Sequence, residues 1–90
     1  MTERAFQFTV CGRVQGVFFR ASARKKALEL GLKGWVQNLP SGEVEGLAQG
    51  DEPNLQAFIE WLQQGPEQAK VSQVDTIEET LSDYLSFEIY

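Results

Sequence analysis

The run Val10-Cys11-Gly12-Arg13-Val14-Gln15-Gly16-Val17-Phe18-Phe19-Arg20 contains the parts of an anion site. Glycines at 12 and 16 allow positive φ and close approach of the backbone, so that successive N–H groups can face one concavity. The run leaves a β-patterned segment and enters a helix-patterned one, whose first turn adds unpaired donors and the positive end of a helix dipole. Arg20, at the mouth of that helix, carries a planar guanidinium that can grip two oxygens of a phosphate or carboxylate at once. Backbone donors and one arginine suffice to hold a phosphoryl group. Two glycines alone are described equally well as an ordinary connection beside a solvated arginine. Neither the dinucleotide pattern G-x-G-x-x-G nor the nucleotide-loop ending G-K-[ST] occurs, so nucleotide hydrolysis is not indicated.

Other chemistries have less to work with. The chain has no histidine and a single cysteine. Thiol phosphatases keep their cysteine and arginine close together, whereas eight residues separate Cys11 from Arg20, so Cys11 reads as structural. No His/Cys cluster offers a zinc site, and Glu43, Glu45, Asp51 and Glu52 fall on a strand and a helix start, where they serve as solvated or capping groups. No metal and no cofactor are expected.

Ninety residues make one domain, 1–90, with one core and no room for a second. An apolar fraction of 42% and a charged fraction of 23% are those of an ordinary globular protein. The lone Cys11 cannot close an intrachain disulfide. Glu3 and Arg4 occupy a short polar lead and no long uncharged apolar run follows, so neither a signal peptide nor a membrane span is expected and the default location is cytoplasmic. The formal charge of −5 is unevenly spread: residues 1–33 carry seven Lys/Arg against two acids, and residues 34–90 carry one against eleven. Positive charge near the loop favours a small anion, while the acidic remainder repels a polyanion, so nucleic acid is not an expected partner. A monomer is expected.

The elements that must position the loop follow from periodicity. Phe6, Phe8 and Val10 alternate with Gln7, Thr9 and Cys11 as a strand with one buried face. Ala23, Ala27 and Leu30 recur at helical spacing, with Gly31 as the stop. Leu32 to Leu39 predicts a second strand, Pro40-Ser41-Gly42 a turn, and Glu43 to Gln49 a third strand. Asp51 before Glu52-Pro53 reads as an N-cap, with Leu55, Phe58, Ile59 and Leu62 forming the stripe of a second helix that ends at Gly65-Pro66. A fourth strand spans Val71 to Glu78; because Val71 and Val74 have opposite parity, it requires a bulge or a late start. Leu85, Phe87 and Ile89 alternate in a closing strand after a turn at Ser82-Asp83. The order β-α-β-β-α-β-β predicts an α+β, ferredoxin-like split β-α-β sandwich: an antiparallel sheet with two helices on one face and an extra C-terminal strand. Fold alone does not give function.

With the loop and second strand placed, Val10 to Arg20 resembles the acylphosphatase signature, and Gly34-Trp35-Val36-Gln37-Asn38 with Gly42, Val44 and Gly50 resembles that family's second motif. The resemblance runs from the first strand to Phe87-Glu88-Ile89-Tyr90 and implies a small stand-alone acylphosphatase with a ferredoxin-like fold. Such an enzyme hydrolyses the carboxyl-phosphate bond of small acyl phosphates to a carboxylate and inorganic phosphate, without a cofactor. The resemblance implies that Arg20 binds the phosphoryl group and that Asn38 orients the attacking water. It also implies that the backbone of Gly12, Arg13, Val14, Gln15, Gly16, Val17 and Phe18 forms the phosphate loop.

The residues suit that chemistry, since a carboxylate is a good leaving group that needs little help from a general acid. Asn38 is neither acid nor base near neutral pH and can only position. Phe18 and Phe19 can wall the acyl side of the pocket or anchor the loop in the core, and anchoring is the expectation. Trp35 and Trp61 are expected to pack. Many relatives end in a Phe-x-x-Arg-Tyr-like pattern, and the missing arginine here bears on an end-strand contact at the rim of the site. Two other readings fit the same residues. One is a non-catalytic ferredoxin-like module that senses a small anion with the same cradle or meets RNA with its open sheet, the latter opposed by the acidic second half; the other is a domain like that of hydrogenase-maturation proteins, which acts on carbamoyl phosphate within a longer chain.

Overall fold

Phe8 and Val10 point to one side of strand β1 (Glu3–Arg13), and both helices pack on that side. The computed structural model describes residues 2–90. Beyond β1, the elements are α1 (Phe19–Glu29), β2 (Lys33–Asn38), β3 (Val44–Asp51), α2 (Glu52–Gln64), β4 (Lys70–Glu79) and β5 (Phe87–Ile89). The sheet order is β4-β1-β3-β2-β5. This is the expected α+β architecture, with β1 through β4 paired antiparallel to one another. The added strand differs: β5 runs parallel to β2, so the sheet is mixed rather than wholly antiparallel.

The direction of β5 follows from where β4 ends. Glu79 lies opposite Ala5, at the end of the sheet where β1 begins. From there residues 80–86 cross to the far edge, and Phe87 starts β5 beside Gly34. Gln49 fastens this crossing. Its amide nitrogen donates to the Ser82 carbonyl at 2.7 Å and its amide oxygen accepts from the Ser82 N–H at 2.9 Å. Leu85, expected on the buried face of a closing strand, precedes β5 and is 92% exposed.

Register assigns the faces. Phe8 lies opposite Gly46 and Val10 opposite Val44, while Val36 faces Gly46 and Asn38 faces Val44, so all these residues point towards the helices. Against them pack Ala23 and Ala27 of α1, whose small side chains let the helix approach closely, and Leu55, Phe58 and Leu62 of α2. Phe58 meets Phe8 and Phe87 edge-on, joining both ends of the chain in one core. Asp51 occupies the N-cap position of α2 as expected but makes no side-chain capping bond.

The parity conflict in β4 is resolved by a bulge. Cys11 pairs with Gln73 and Gly12 with Val71, skipping Ser72, so that Val71 and Val74 both pack against the core. Gly12 sits in that bulge with φ 120°, where a Cβ would lie 2.2 Å from the Lys70 carbonyl oxygen. Among the described residues no helix is long and apolar enough to cross a membrane.

Candidate active site

β1 and β2 finish at the same end of the sheet, which brings the loop after β1 beside the last residue of β2. Between them lies a cavity of about 290 Å³. Val14, Gly16 and Phe18 line it from the loop, Phe19, Arg20 and Ala21 from the start of α1, Asn38 from β2 and Ile89 from β5. Such a volume is at the low end of the roughly 300–1,000 Å³ typical of small-molecule sites, room for a phosphoryl group with a modest substituent.

The loop proper is shorter than the sequence motif. β1 continues through Arg13, so Gly12 and Arg13 are strand residues paired with Val71 and Lys70, and the turn comprises residues 14–18. Val14 and Val17 are buried and pin it to the core, while Gly16 is exposed with φ 74°. Gln15 ties it sideways, its amide nitrogen donating to the carbonyls of Leu39 at 2.8 Å and Glu43 at 2.9 Å. Those carbonyls belong to the hairpin that follows Asn38, so one side chain sets the spacing between the loop and β2. Sequence reasoning placed Gln15 in the loop for its backbone; no local pattern reveals a bond spanning 24 to 28 residues.

Phe18 caps α1 in the left-handed region, φ 62° and ψ 25°, and among the described residues is the only non-glycine with positive φ. That conformation costs on the order of 1 kcal/mol in a residue with a Cβ. The turn sends the adjacent rings opposite ways. Phe19 is 1% exposed and Phe18 77%, so the expected anchoring holds for Phe19 and fails for Phe18. Among the described residues no acceptor partners the main-chain N–H groups of residues 15–19. They are a set of free donors around the loop and the first turn of α1.

Arg20 directs one nitrogen, Nη1, to the Tyr90 main-chain oxygen at 3.0 Å. Tyr90 is docked in turn by its N–H, which donates to the Val36 carbonyl at 2.9 Å. One helical turn on, Arg24 Nε donates to the Phe87 carbonyl at 2.9 Å. Two arginines of α1 thus hold β5, and β5 steadies Arg20. A guanidinium has five N–H donors, so most of Arg20's remain for a ligand. This role of the C-terminal strand was not visible in the sequence, where only its missing arginine was noted. In the structure its cavity-facing side chain is the apolar Ile89.

Asn38 supplies the complementary group. Its Oδ1 is buried and has no hydrogen-bond partner among the described residues, although a buried polar atom left unpaired costs about 1–3 kcal/mol. Arg20 and Asn38, eighteen positions apart in the sequence, therefore line one cavity, the first with spare donors and the second with a spare acceptor.

The remaining candidates lie elsewhere. Cys11 points to the opposite face of the sheet, where its thiol hydrogen-bonds Glu43 Oε2 at 3.1 Å. That carboxylate, together with partial burial, raises the thiol pKa, the opposite of what a nucleophile needs. Glu43 is held below its ordinary range by the same bond and by Ser41. Trp35 shares that face and packs against Tyr90 with ring centroids 6.3 Å apart, while Trp61 packs against Phe19 and Phe58. Among the described residues no three His, Cys, Asp or Glu side chains are grouped as metal ligands.

Comparison with known proteins gives one consistent picture. The Acylphosphatase family model matches residues 6–89. A curated acylphosphatase from Acaryochloris marina is 51% identical over 80 residues, covering 89% of this chain and 86% of that protein. The solved acylphosphatase from Coxiella burnetii superposes with a TM-score of 0.95 at 49% identity, over 98% of this chain and 93% of that one. The crystal structure of acylphosphatase from Bacillus subtilis does so with a TM-score of 0.94 at 38% identity, over 97% and 98% of the two chains.

Proposed function

The chain belongs to the acylphosphatase family, enzymes that hydrolyse acyl phosphates to a carboxylate and inorganic phosphate, and from that membership we propose how its residues divide the work. Arg20 and the N–H groups of the loop hold the phosphoryl oxygens, and Asn38 orients the attacking water. The observation that carries this reading is that Asn38, whose buried Oδ1 has no partner among the described residues, lines the cavity that Arg20 also lines. A water donating one hydrogen to Oδ1 has its lone pair turned towards phosphorus.

The water oxygen forms a new bond to phosphorus as the bond to the acyl oxygen breaks, and the electron pair of that bond leaves with the carboxylate. The proton of the water passes to a phosphate oxygen of the substrate itself, so no side-chain base takes part. Negative charge spread over the equatorial oxygens is met by the Arg20 fork and by the free amides, which are already in place before reaction. The loop calls on the main chain of residues 12–18, with Gly12 and Arg13 contributing through the strand end that launches the turn.

Hydrolysis of benzoyl phosphate in the presence of a chelator tests the scheme, since every charge on the phosphoryl group is assigned to a protein group. Turnover is expected to be undiminished by the chelator. Chelator-sensitive turnover, restored by a divalent cation, would overturn the metal-free assignment.

A further inference from the structure

We propose that Gln15 is a positioning residue for the reaction: its side-chain amide fixes the separation between the phosphate-holding loop and Asn38, and this separation governs kcat rather than phosphate affinity. The proposal rests on the roles assigned to Arg20 and Asn38 above and adds a residue that touches neither the substrate nor the reacting atoms. Val14 and Gly16 line the cavity, and Gln15 between them does not. Its side chain leaves sideways, towards the hairpin that follows β2.

At this end the sheet stops at a row made by Val10 of β1, Val44 of β3 and Asn38 of β2. Beyond that row β3 pairs with neither neighbour; the β1 side continues towards the loop and the β2 side into residues 39–43. Among the described residues, two side chains cross the gap by hydrogen bonds. The Cys11 thiol, a weak donor, reaches Glu43 Oε2 at 3.1 Å on the face turned away from the helices. Gln15 gives its amide hydrogens to two carbonyls, Leu39 at 2.8 Å and Glu43 at 2.9 Å, and so fixes two points of the hairpin at once.

Neither half needs these bonds to keep its own shape. The hairpin closes through its main chain, with the Leu39 N–H donating to the Glu43 carbonyl at 2.8 Å and the Gly42 N–H to the Leu39 carbonyl at 3.1 Å. The loop is pinned to the core by Val14, Val17 and Phe19. What Gln15 adds is the relation between the two. Arg20 and the loop stand on one side of the gap and Asn38 on the other, so a change in its width leaves the groups that hold phosphate together and moves Asn38 relative to them. A misplacement of about 1 Å can cost on the order of a hundredfold in rate while ground-state binding survives.

Steady-state hydrolysis of benzoyl phosphate, inhibition by inorganic phosphate and thermal melts are measured for the parent, Gln15→Met, Gln15→Asn, Asn38→Ala and the double variant Gln15→Met with Asn38→Ala. Methionine keeps the length without the donors, and asparagine keeps the donors on a stem too short to span the gap. In both Gln15 variants kcat is expected to fall about tenfold or more, with phosphate inhibition within about threefold of the parent. Because Gln15 acts by placing Asn38, Gln15→Met should cost less than about twofold once Asn38 is replaced. Parent-like kcat in both Gln15 variants, with or without a lower melting temperature, overturns the proposal and leaves Gln15 a structural brace. Phosphate inhibition weakened in step with kcat also overturns it, assigning the side chain to the grip of the loop on phosphate. So do losses that multiply in the double variant. No hydrolysis by the parent would instead remove the hydrolytic reading, and normal kcat in Asn38→Ala the role of Asn38, and in either case the proposal falls with its premise.

Discussion

Two side-chain amides on neighbouring strands show how the ends of this sheet differ. Gln49, on β3, is 8% exposed and has both amide atoms bonded to the main chain of Ser82. Asn38, on β2, has a buried oxygen with no partner among the described residues. The two cationic residues that flank these ends repeat the contrast. Arg4 engages Glu78 through Nε and Nη2 and Glu52 through Nη1, whereas Arg20 spends one nitrogen on a carbonyl. At one end Gln49 and Arg4 have their polar groups completed by the fold; at the other, Arg20 and Asn38 line a common cavity with donors and an acceptor left over. The incomplete end gives up stability the fold could have had, and what it keeps is a site already arranged for a ligand.

Arginine replacement should separate the ends most strongly. Arg20→Ala is expected to lower kcat/KM a hundredfold or more, on the order of 3 kcal/mol of transition-state stabilisation, and to abolish inhibition by phosphate. Arg20→Lys should not restore either, because an ammonium keeps the charge without the fork. Arg4→Ala should leave both quantities near the parent value. Near-normal kcat/KM and phosphate affinity in Arg20→Lys would remove the bidentate role and with it half of the contrast.

The amide pair gives a second, opposed test. Asn38→Ala should lower kcat by about a hundredfold while phosphate inhibition stays within a few-fold, because the lost contact is to water. Its stability should be unchanged or higher, since an unpaired buried acceptor is removed. Gln49→Met should do the reverse, lowering unfolding free energy by about 1–3 kcal/mol as the Ser82 main chain loses both partners, with kcat/KM retained. Circular dichroism melts and steady-state kinetics on the same preparations check both. An Asn38→Ala protein that loses phosphate binding as severely as Arg20→Ala would place Asn38 with the phosphate rather than with the water.

What could be read from the sequence divides along similar lines. Elements with an extended period were legible: Phe6 to Cys11 as a strand, the two helical stripes, and even the β4 bulge, because Val71 and Val74 cannot share a face without it. The meeting of Arg20 and Asn38 was legible only through family resemblance, since the seventeen intervening residues carry no geometric signal. Phe18 and Phe19 were indistinguishable by type, and a single left-handed residue sends one out and the other in. β5 has three residues, too few for a period, and its parallel direction depends on where β4 ends. Gly12 looked like a ligand-facing glycine, but its open side meets the Lys70 carbonyl.

The smallest expected effect concerns pH and the completed end of the sheet. Arg4 forks onto Glu78 with contacts of 2.9 and 2.7 Å, bonds Glu52 at 2.7 Å and lies over the Phe6 ring, 5.2 Å from its centroid. The Arg4 hydrogen bonds are the main reason the Glu78 carboxyl lies below its ordinary value of 4.5. A carboxyl whose pKa is lower in the folded protein stabilises it fully above the unfolded value, and the contribution disappears as pH falls through the folded value. The stability advantage of the parent over Glu78→Gln should therefore be constant from neutral pH to about 5, shrink below about 4.5 and vanish at still lower pH. Because these side chains are exposed, the advantage should be small and should narrow further in concentrated salt. Thermal melts of the two proteins across that range, at low and high ionic strength, make the comparison, and taking the difference cancels the titration of Glu43 beside Cys11. kcat/KM should be equal in the two proteins at neutral pH, since Glu78 braces the end remote from the cavity. A gap that widens as pH falls would mean that the Arg4 pair is not its source, and an altered kcat/KM would mean that the two ends are coupled.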